Sequence, residues 1–210
     1  MIDLFTWNTP NGRKVSIMLE ETGQSYEVHP VDITRNEQFS ERFLRIAPNN
    51  RIPAIVDNSN GMTLMESGAI LMYLANKTGM LLPHHGTTAY WRVIEWLMWQ
   101  MGGVGPMLGQ AHHFLKYNRG KSEYAEERYF TEAKRLYGVL DKRLARNRYI
   151  AGDYSIADIA TWPWVSRFEW QSIDLRDYPA VMRWYLELAE RPAVQRGYQV
   201  PHKVNEIPLP

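Results

Sequence analysis

Strand-like and helix-like patterns alternate over the first 80 residues of this chain, and the strand patterns then stop. Helical spacing of apolar residues begins at Asn11 and recurs over 37–48 and 66–79. Short apolar runs bounded by turn residues predict strands between these helices, at 2–7, 26–32, 52–57 and 62–65. The resulting order, βαβαββα, is typical of a mixed sheet covered by helices on both faces.

Individual residues make the prediction for this first domain more specific. Pro30 lacks a donor for a sheet hydrogen bond, so we expect its strand at a sheet edge. Asn60-Gly61 lies between the last two strands and predicts a hairpin. The helix over 37–48 is expected to turn three apolar side chains inward, those of Phe39, Phe43 and Leu44. The layout is thioredoxin-like, and we assign it to residues 1–80.

The remainder of the chain is predicted to be all-helical. A segment with Pro, Gly and polar residues at 81–87 is interpreted as a linker, and the second domain as 88–210. Helical patterns cover four stretches, 88–117, 123–147, 156–170 and 178–190. Ser155 and Asp158 have the spacing of a capping box at the start of the third. The stretch "GGVGPMLG" lies inside a helical pattern, and we expect its glycines and Pro106 to bend the helix or let it pack closely rather than to bind phosphate.

Composition narrows the classes of partner. The chain of 210 residues has a formal net charge of +1, which gives no reason to expect nucleic acid or an anionic membrane as a partner. Its longest strictly apolar run, 69–75, is about seven residues, against the ~20 that a membrane-spanning helix needs. No signal peptide is evident at the N-terminus, and a cytoplasmic protein is expected.

The chain contains no cysteine. This excludes disulfides, thiolate metal ligands and a cysteine nucleophile of its own. The turn "NTPNG" between the first strand and the first helix is nevertheless where redox proteins of this layout place a reactive cysteine. Adjacent histidines at 84–85 and 112–113 lack the spacing of metal ligands, and we predict no metal site.

Several motifs resemble the glutathione transferase family. "NNRIPAIVD" is similar to that family's strand entry with a cis proline, and "ESGAILMYLA" to its glutamate-serine motif at a helix start. "SIADI" followed by "WPW" resembles the capping segment of its helical domain. "TPNGRKV", "GGVGPMLGQAHHF" and "YGVLDKRL" are most similar to the nu class of bacterial glutathione transferases, a subgroup associated with glutathione-dependent disulfide reduction.

The resemblance implies a glutathione site. A cis Pro53 would let the backbone of Ile52 pair with the cysteine part of glutathione, whereas a trans edge proline would be structural only. Ser67 and Glu66, at a helix N-terminus, would face the γ-glutamyl carboxylate and ammonium, or else serve as a cap and a solvated charge. Gln38 resembles the residue that contacts the glycine end, and Arg128 would supply a guanidinium to a carboxylate or remain on a solvated helix face.

The resemblance also implies that catalysis takes place at the turn "NTPNG". Thr9 and Asn11 match positions of the subgroup and carry a hydroxyl and an amide donor that would stabilise the thiolate of bound glutathione. The alternative roles are structural: Thr9 would cap its own turn, and Asn11 would be an ordinary helix N-cap. The Tyr or Ser that many family members use in this loop is absent, which favours disulfide reduction over conjugation.

Three functions stay open from the sequence. The first is glutathione-dependent reduction of a disulfide, with glutathione or glutathione disulfide and a small disulfide or electrophile as the reactants. The second is conjugation or peroxide reduction at the same site, and the third is a non-catalytic binding module. The intact set of predicted site residues argues against the third. The resemblance also implies a homodimer.

Overall fold

A computed structural model describes all 210 residues, Met1–Pro210. They form two compact units. The first comprises Met1–Leu82 with Glu190–Ile207, and the second comprises Pro83–Ala189 with Pro208–Pro210. A compact unit need not fold independently. We therefore keep as a prediction the division into domains at 1–80 and 88–210 with a linker at 81–87. In the structure the segment 190–207 packs with the first unit.

The first unit contains a four-stranded sheet in the order β2-β1-β3-β4. Its strands are β1 (Ile2–Thr6), β2 (Tyr26–Pro30), β3 (Ala54–Asp57) and β4 (Met62–Met65). β1 is parallel to β2 and antiparallel to β3, and β3 is antiparallel to β4. The four strands and their pairing confirm the predicted mixed sheet. Pro30 lies at the end of the edge strand β2, where its missing N–H leaves no inner ladder unsatisfied.

Both faces of the sheet are covered. Leu4 and Phe5 point to opposite faces because side chains alternate along a strand, and both are buried. Phe5 packs in a cluster with Val31, Phe43, Ala47 and Ala54. The helices of this part are α1 (Pro10–Glu21), α2 (Glu41–Leu44) and α3 (Ser67–Thr78).

The stretch 37–48 is not one helix, contrary to the expectation above. A 3₁₀ turn over Glu37–Phe39 is followed by the short α2. Ser40 separates them with an extended backbone and caps α2 by accepting a hydrogen bond from the N–H of Phe43. The break rotates the first turn, so Phe39 is 53% exposed while Gln38 is buried. The prediction that Phe39 faces inward is therefore wrong, whereas that for Phe43 is confirmed.

A further helix, α9 (Pro192–Tyr198), returns to the first unit and packs along α1. Ser16 on α1 donates a hydrogen bond to the carbonyl of Gly197 at 2.6 Å. A Cβ at Gly197 would lie 2.6 Å from the backbone of Ile17, so only glycine allows this approach. Arg191 makes a two-pronged ion pair with Glu21 at 2.7 and 2.8 Å. Sequence periodicity did not predict α9.

The second unit is helical, as predicted. Its helices are α4 (Thr88–Trp99), α5 (Gly105–Ala111), α6 (Glu123–Leu144), α7 (Ile156–Val165) and α8 (Pro179–Ala189). π-helical turns follow α4 over Gln100–Val104 and α5 over His112–Tyr117. The glycine-rich stretch thus lies within a helical path that contains a widened turn. No helix of the chain combines the length and the apolar character that crossing a membrane requires.

The capping box at α7 is confirmed. Ser155 caps the helix, and the Asp158 carboxylate accepts a hydrogen bond from the backbone N–H of Ser155 at 3.1 Å. Asp158 also accepts from the N–H of Ile150 and from the indole of Trp184. The carboxylate therefore ties the start of α7 to two other parts of the unit.

Candidate functional site

Thr9 starts α1 and is half-buried. It has an extended backbone, and its hydroxyl oxygen accepts a hydrogen bond from the N–H of Gly12 at 3.1 Å. Since the oxygen is the acceptor in this bond, the hydroxyl hydrogen remains for donation to another group. Thr9 is the N-cap of α1, which leaves Asn11 at the second helical position rather than at the N-cap considered for it.

Gly12 makes the close turn before α1 possible. A Cβ at this position would lie 2.3 Å from the carbonyl oxygen of Trp7 and 2.5 Å from the hydroxyl of Thr6. No side chain other than hydrogen fits there. The turn therefore folds back tightly on the end of β1, which sets where Thr9 and the first N–H groups of α1 point.

The Ile52–Pro53 peptide bond is cis, as the motif predicted. Pro53 directly precedes β3, and Ile52 lies outside the paired residues of that strand. The backbone of Ile52 is thus placed beside the sheet and not within its ladder. This is the position from which an extended ligand can be paired in strand fashion.

Glu66 and Ser67 form the junction between β4 and α3. Glu66 is the N-cap residue and has φ 70° and ψ 111°, a conformation that residues with side chains rarely adopt. Its side chain is exposed and accepts a hydrogen bond from Asn49 at 3.4 Å. Ser67 is the first residue of α3 and is buried. Such backbone outliers are most frequent at ligand sites.

The sheet register brings these segments to one edge. Phe5 near the end of β1 pairs with Ala54 at the start of β3, and Ala54 pairs with Met65 at the end of β4. The turn with Thr9, the cis proline and the Glu66 junction therefore leave the sheet on the same side. A direct contact joins α1 to α3 at this edge, because Lys14 donates a hydrogen bond to the Ser67 hydroxyl at 3.3 Å.

Sequence reasoning overlooked Lys14. Its side chain is only 1% exposed, although lysine is rarely buried. Burial lowers the pKa of the Lys14 ammonium to about 7, and the charge of Glu66 opposes this shift. A lysine two residues after the predicted turn "NTPNG" gives no pattern that distinguishes it from a surface charge, so nothing in the sequence alone indicated its burial.

Two further predicted residues belong to other elements of the chain. Gln38 is buried in the first unit, and its side-chain oxygen has no hydrogen-bond partner, which leaves an acceptor to be satisfied. Arg128 belongs to the second unit. It is exposed on α6 and lines a cavity of about 490 Å³ together with Met107 of α5 and Tyr124 and Glu127 of α6.

The C-terminal segment also reaches the turn. The amide nitrogen of Asn8 lies 3.1 Å from His202 Nε2, and the ring of Trp7 contacts the His202 ring edge-on at 5.2 Å between centroids. The sequence did not indicate this contact, because the two segments are far apart along the chain.

One group of side chains has potential metal ligands. The ligand atoms of Asp3, Glu27 and His29, on the neighbouring strands β1 and β2, lie within 4.8 Å of one another. Phe5 stacks on His29 at 4.7 Å, which explains the placement of the imidazole without an ion. The expectation that the protein holds no metal stays a prediction.

Comparison with known proteins identifies relatives along almost the whole chain. The family profile described as "Glutathione S-transferase, N-terminal domain" matches residues 2–76, and "Glutathione S-transferase, C-terminal domain" matches residues 104–192. The chain is 50% identical over 199 residues to "Disulfide-bond oxidoreductase YfcG" of Escherichia coli (strain K12), covering 92% of each sequence.

Solved structures give the same result. A glutathione transferase from Burkholderia graminis, crystallised with two glutathione molecules bound per subunit, is 45% identical with a TM-score of 0.89, over 97% of this chain and 89% of that one. One from Pseudomonas putida, with one glutathione disulfide bound per subunit, is 43% identical with a TM-score of 0.87, over 95% and 91%.

Proposed function

The chain belongs to the glutathione S-transferase family, and we propose that it reduces disulfide bonds with glutathione as the source of the thiolate. The observation that carries this proposal is the turn at Thr9: a hydroxyl whose hydrogen remains for donation stands at the start of α1, in a chain without cysteine. A relative that is 50% identical is named a disulfide-bond oxidoreductase, which supports the same reaction.

We infer that one edge of the sheet holds the glutathione backbone. The N–H groups at the start of α3 suit the γ-glutamyl carboxylate, since a helix N-terminus attracts anions. Glu66 is exposed beside them and suits the ammonium. The backbone of Ile52, next to the cis Pro53, suits the cysteine part. Gln38, the predicted contact of the glycine end, has a buried side-chain oxygen that can accept a hydrogen bond from an N–H of the ligand. Arg128 stays a predicted partner for a glutathione carboxylate.

In this arrangement the glutathione sulfur lies beside the turn that begins α1. A free thiol has a pKa of about 8.5, and hydrogen-bond donors at a helix N-terminus lower it. The Thr9 hydroxyl donates to the sulfur while its oxygen keeps the bond from Gly12. The Asn11 amide, one residue into the helix, is the second proposed donor.

The proposed reaction has two exchanges. The glutathione thiolate attacks one sulfur of the substrate disulfide, a bond forms between them, and the other sulfur leaves as a thiolate that takes up a proton. A second glutathione thiolate then attacks the glutathione sulfur of this mixed disulfide. Glutathione disulfide and a second substrate thiol are released, so two glutathiones are oxidised for each disulfide reduced.

A comparison of three acceptors tests this function. The purified protein is assayed with glutathione and a small dialkyl disulfide, an aryl halide or an organic hydroperoxide. We expect the disulfide to give the highest kcat/KM. Higher values with the halide or the hydroperoxide would instead support conjugation or peroxide reduction, and no turnover with any acceptor despite glutathione binding would support a binding module.

Thr9→Ala tests the role of the turn. A hydrogen bond to a charged group contributes about 1.5–3 kcal/mol, so turnover should fall by roughly 10- to 100-fold, more than the affinity for glutathione disulfide. Thr87→Ala is the matched control, because Thr87 caps α4 with the same 3.1 Å bond to a backbone N–H, that of Tyr90. Both variants lose a cap, but only Thr9→Ala should lose turnover. Equal turnover in Thr9→Ala and the wild type would remove Thr9 from the mechanism.

We also propose three finer assignments that follow from the family likeness. The chain is placed in the nu class, it functions as a homodimer, and it works in the cytoplasm. Sedimentation at micromolar concentration tests the second, with a single species of twice the 24.6 kDa chain mass as the expected result. A species of the chain mass alone would refute it.

A further inference from the structure

A group of side chains around Trp170, in the second unit, has no role in the proposed function. The Arg167 guanidinium lies 4.3 Å from the centroid of the Trp170 ring, and the Lys116 ammonium lies 5.7 Å from it. The ring of His112 meets the same indole edge-on, at 5.6 Å between centroids. We call these four residues the Trp170 cluster. Three of them can donate hydrogen bonds next to one partly exposed aromatic ring.

The two cations of the Trp170 cluster have no counter-charge in the protein. Neither Arg167 nor Lys116 forms an ion pair or donates a side-chain hydrogen bond. The Nε of Arg167 is buried without an acceptor, whereas its terminal nitrogens reach the surface. Of the acidic residues that follow, Asp174 pairs with Arg176, and Glu169 is exposed and forms no ion pair. The cluster therefore has an excess of positive charge, which an anion would balance.

A buried network fixes how His112 presents its ring. The Tyr137 hydroxyl donates a hydrogen bond to Gln171 Oε1 at 2.6 Å, which leaves the Gln171 nitrogen on the other side of the amide. That nitrogen donates to the carbonyl of Trp164 at 2.8 Å, because a carbonyl can only accept. Its second hydrogen points to His112 Nε2 at 3.0 Å. Nε2 is therefore the acceptor, which leaves the hydrogen of a neutral imidazole on Nδ1.

The Nδ1–H of His112 remains as a donor. His112 is only 7% exposed, yet its Nδ1 has no partner in the protein and is accessible from the surface. Burial, together with the charge of Arg167, lowers the pKa of His112 to about 4, so the ring is neutral at pH 7. A neutral imidazole can lie beside two cations and still donate a hydrogen bond to an anion.

We propose that the Trp170 cluster is an anion site, where Arg167, Lys116 and the Nδ1–H of His112 bind a carboxylate or phosphate group. A guanidinium and an ammonium are common partners of both anions, and the imidazole adds a donor of fixed direction. Tyr117 is 65% exposed and contacts Trp170 edge-on at 5.7 Å, which provides apolar surface for the rest of such a ligand. The site lies within the second unit, and it goes beyond the proposed function because it does not depend on glutathione.

Nitrogen NMR of isotope-labelled histidine side chains tests the donor and the binding together. The shifts of the two ring nitrogens show which of them carries the hydrogen, and we expect Nδ1 in His112. Inorganic phosphate and benzoate are titrated separately at pH 7, and at least one should move the His112 Nδ1 resonance until the shift saturates. The anion with the higher affinity identifies the ligand as phosphorylated or as a carboxylate. Sodium chloride of equal ionic strength should give no saturable shift, since screening is not site binding.

Arg167→Gln and Lys116→Gln test the two cations. Each variant removes one charge and keeps a side chain that can donate a hydrogen bond. We expect about tenfold weaker binding of the preferred anion in each variant. Arg119→Gln is the matched control, because Arg119 is exposed, lies near Lys116 in the sequence and has no contact with Trp170. It removes the same charge from the protein and should bind the anion like the wild type.

Three results would overturn the anion site. The first is the absence of a saturable shift with both anions in the wild-type protein. The second is a His112 ring that carries its hydrogen on Nε2, and the third is unchanged affinity in both Arg167→Gln and Lys116→Gln. The first two need no variant, so they decide the question even where a variant does not fold. Glutathione binding is measured separately, so failure of the anion site leaves the proposed function standing.

Discussion

Replacement of Gly197 by alanine is expected to destabilise the first unit. The new Cβ would lie 2.6 Å from the backbone N and Cα of Ile17, about 1 Å closer than ordinary contact, and backbone atoms cannot rotate away. Overpacking of this kind costs about 1–3 kcal/mol. Displacing α9 would also lengthen the 2.6 Å hydrogen bond from Ser16, which contributes about 1 kcal/mol.

A smaller effect acts in the opposite direction. Alanine favours a helix over glycine by about 0.5–1 kcal/mol, which offsets part of the loss. The net free energy of unfolding should therefore fall by about 2 kcal/mol. With a urea dependence of about 1–3 kcal/mol per molar, the unfolding midpoint moves down by roughly 1 M.

Urea unfolding followed by circular dichroism measures this change. Gly138→Ala is the matched control, because Gly138 lies inside α6 and a Cβ there meets nothing within 4 Å. The same substitution should stabilise the protein at Gly138, by about 0.5–1 kcal/mol, and destabilise it at Gly197. A Gly197→Ala protein as stable as the wild type, or more so, would refute the close approach of α9 to α1.

Three further predictions concern charged residues. Glu66→Ala and Glu66→Gly should both weaken glutathione binding in calorimetry. Only the glycine variant should gain about 1 kcal/mol of stability, because glycine alone adopts the positive φ of this residue without strain. Equal stability of the two variants would contradict backbone strain at Glu66. Because the folded pKa of Lys14 is about 7, below its ordinary value of 10.5, its contribution to stability is present above pH 10.5 and lost as pH falls towards 7. Wild-type stability should therefore decline relative to Lys14→Met on acidification over this range, and parallel urea midpoints of the two would count against it. Burial by itself would raise the pKa of Asp57, but hydrogen bonds from Lys77, Tyr73 and Ser59 outweigh it and hold that pKa well below the ordinary range. Asp57→Asn should lower the free energy of unfolding by about 2–4 kcal/mol at pH 7, and the difference from the wild type should shrink below pH 4. A difference that stays constant with pH would refute the role of the ion pair between Asp57 and Lys77.

The predictable parts of the fold are those with strong local signals. Asn60-Gly61 closes the β3–β4 hairpin, where Gly61 has φ 73°, and Gly79 ends α3 at φ 69°. Ser155 and Asp158 form the expected capping box. Each of these residues acts within a few positions of itself, so its chemistry is visible in the sequence.

The parts that escaped prediction depend on distant contacts. α9 spans only seven residues and is too short for its periodicity to be distinctive; its packing on α1 supplies the stability that isolated short helices lack. The inward orientation predicted for Phe39 is wrong because Ser40, whose backbone is extended, interrupts the helix that the apolar spacing over 37–48 predicts. Lys14 looks like any surface lysine until α3 is placed beside it.

The first unit is discontinuous along the chain, which has a consequence for its biosynthesis. Ile17 and the face of α1 around it stay uncovered by α9 until residues 190–207 have left the ribosome, after Pro83–Ala189 have been made. At about 5–20 residues per second this delay lasts roughly 5–20 s. During that interval the side of α1 that α9 later covers is accessible to chaperones, and the first unit is complete only once 190–207 has been made.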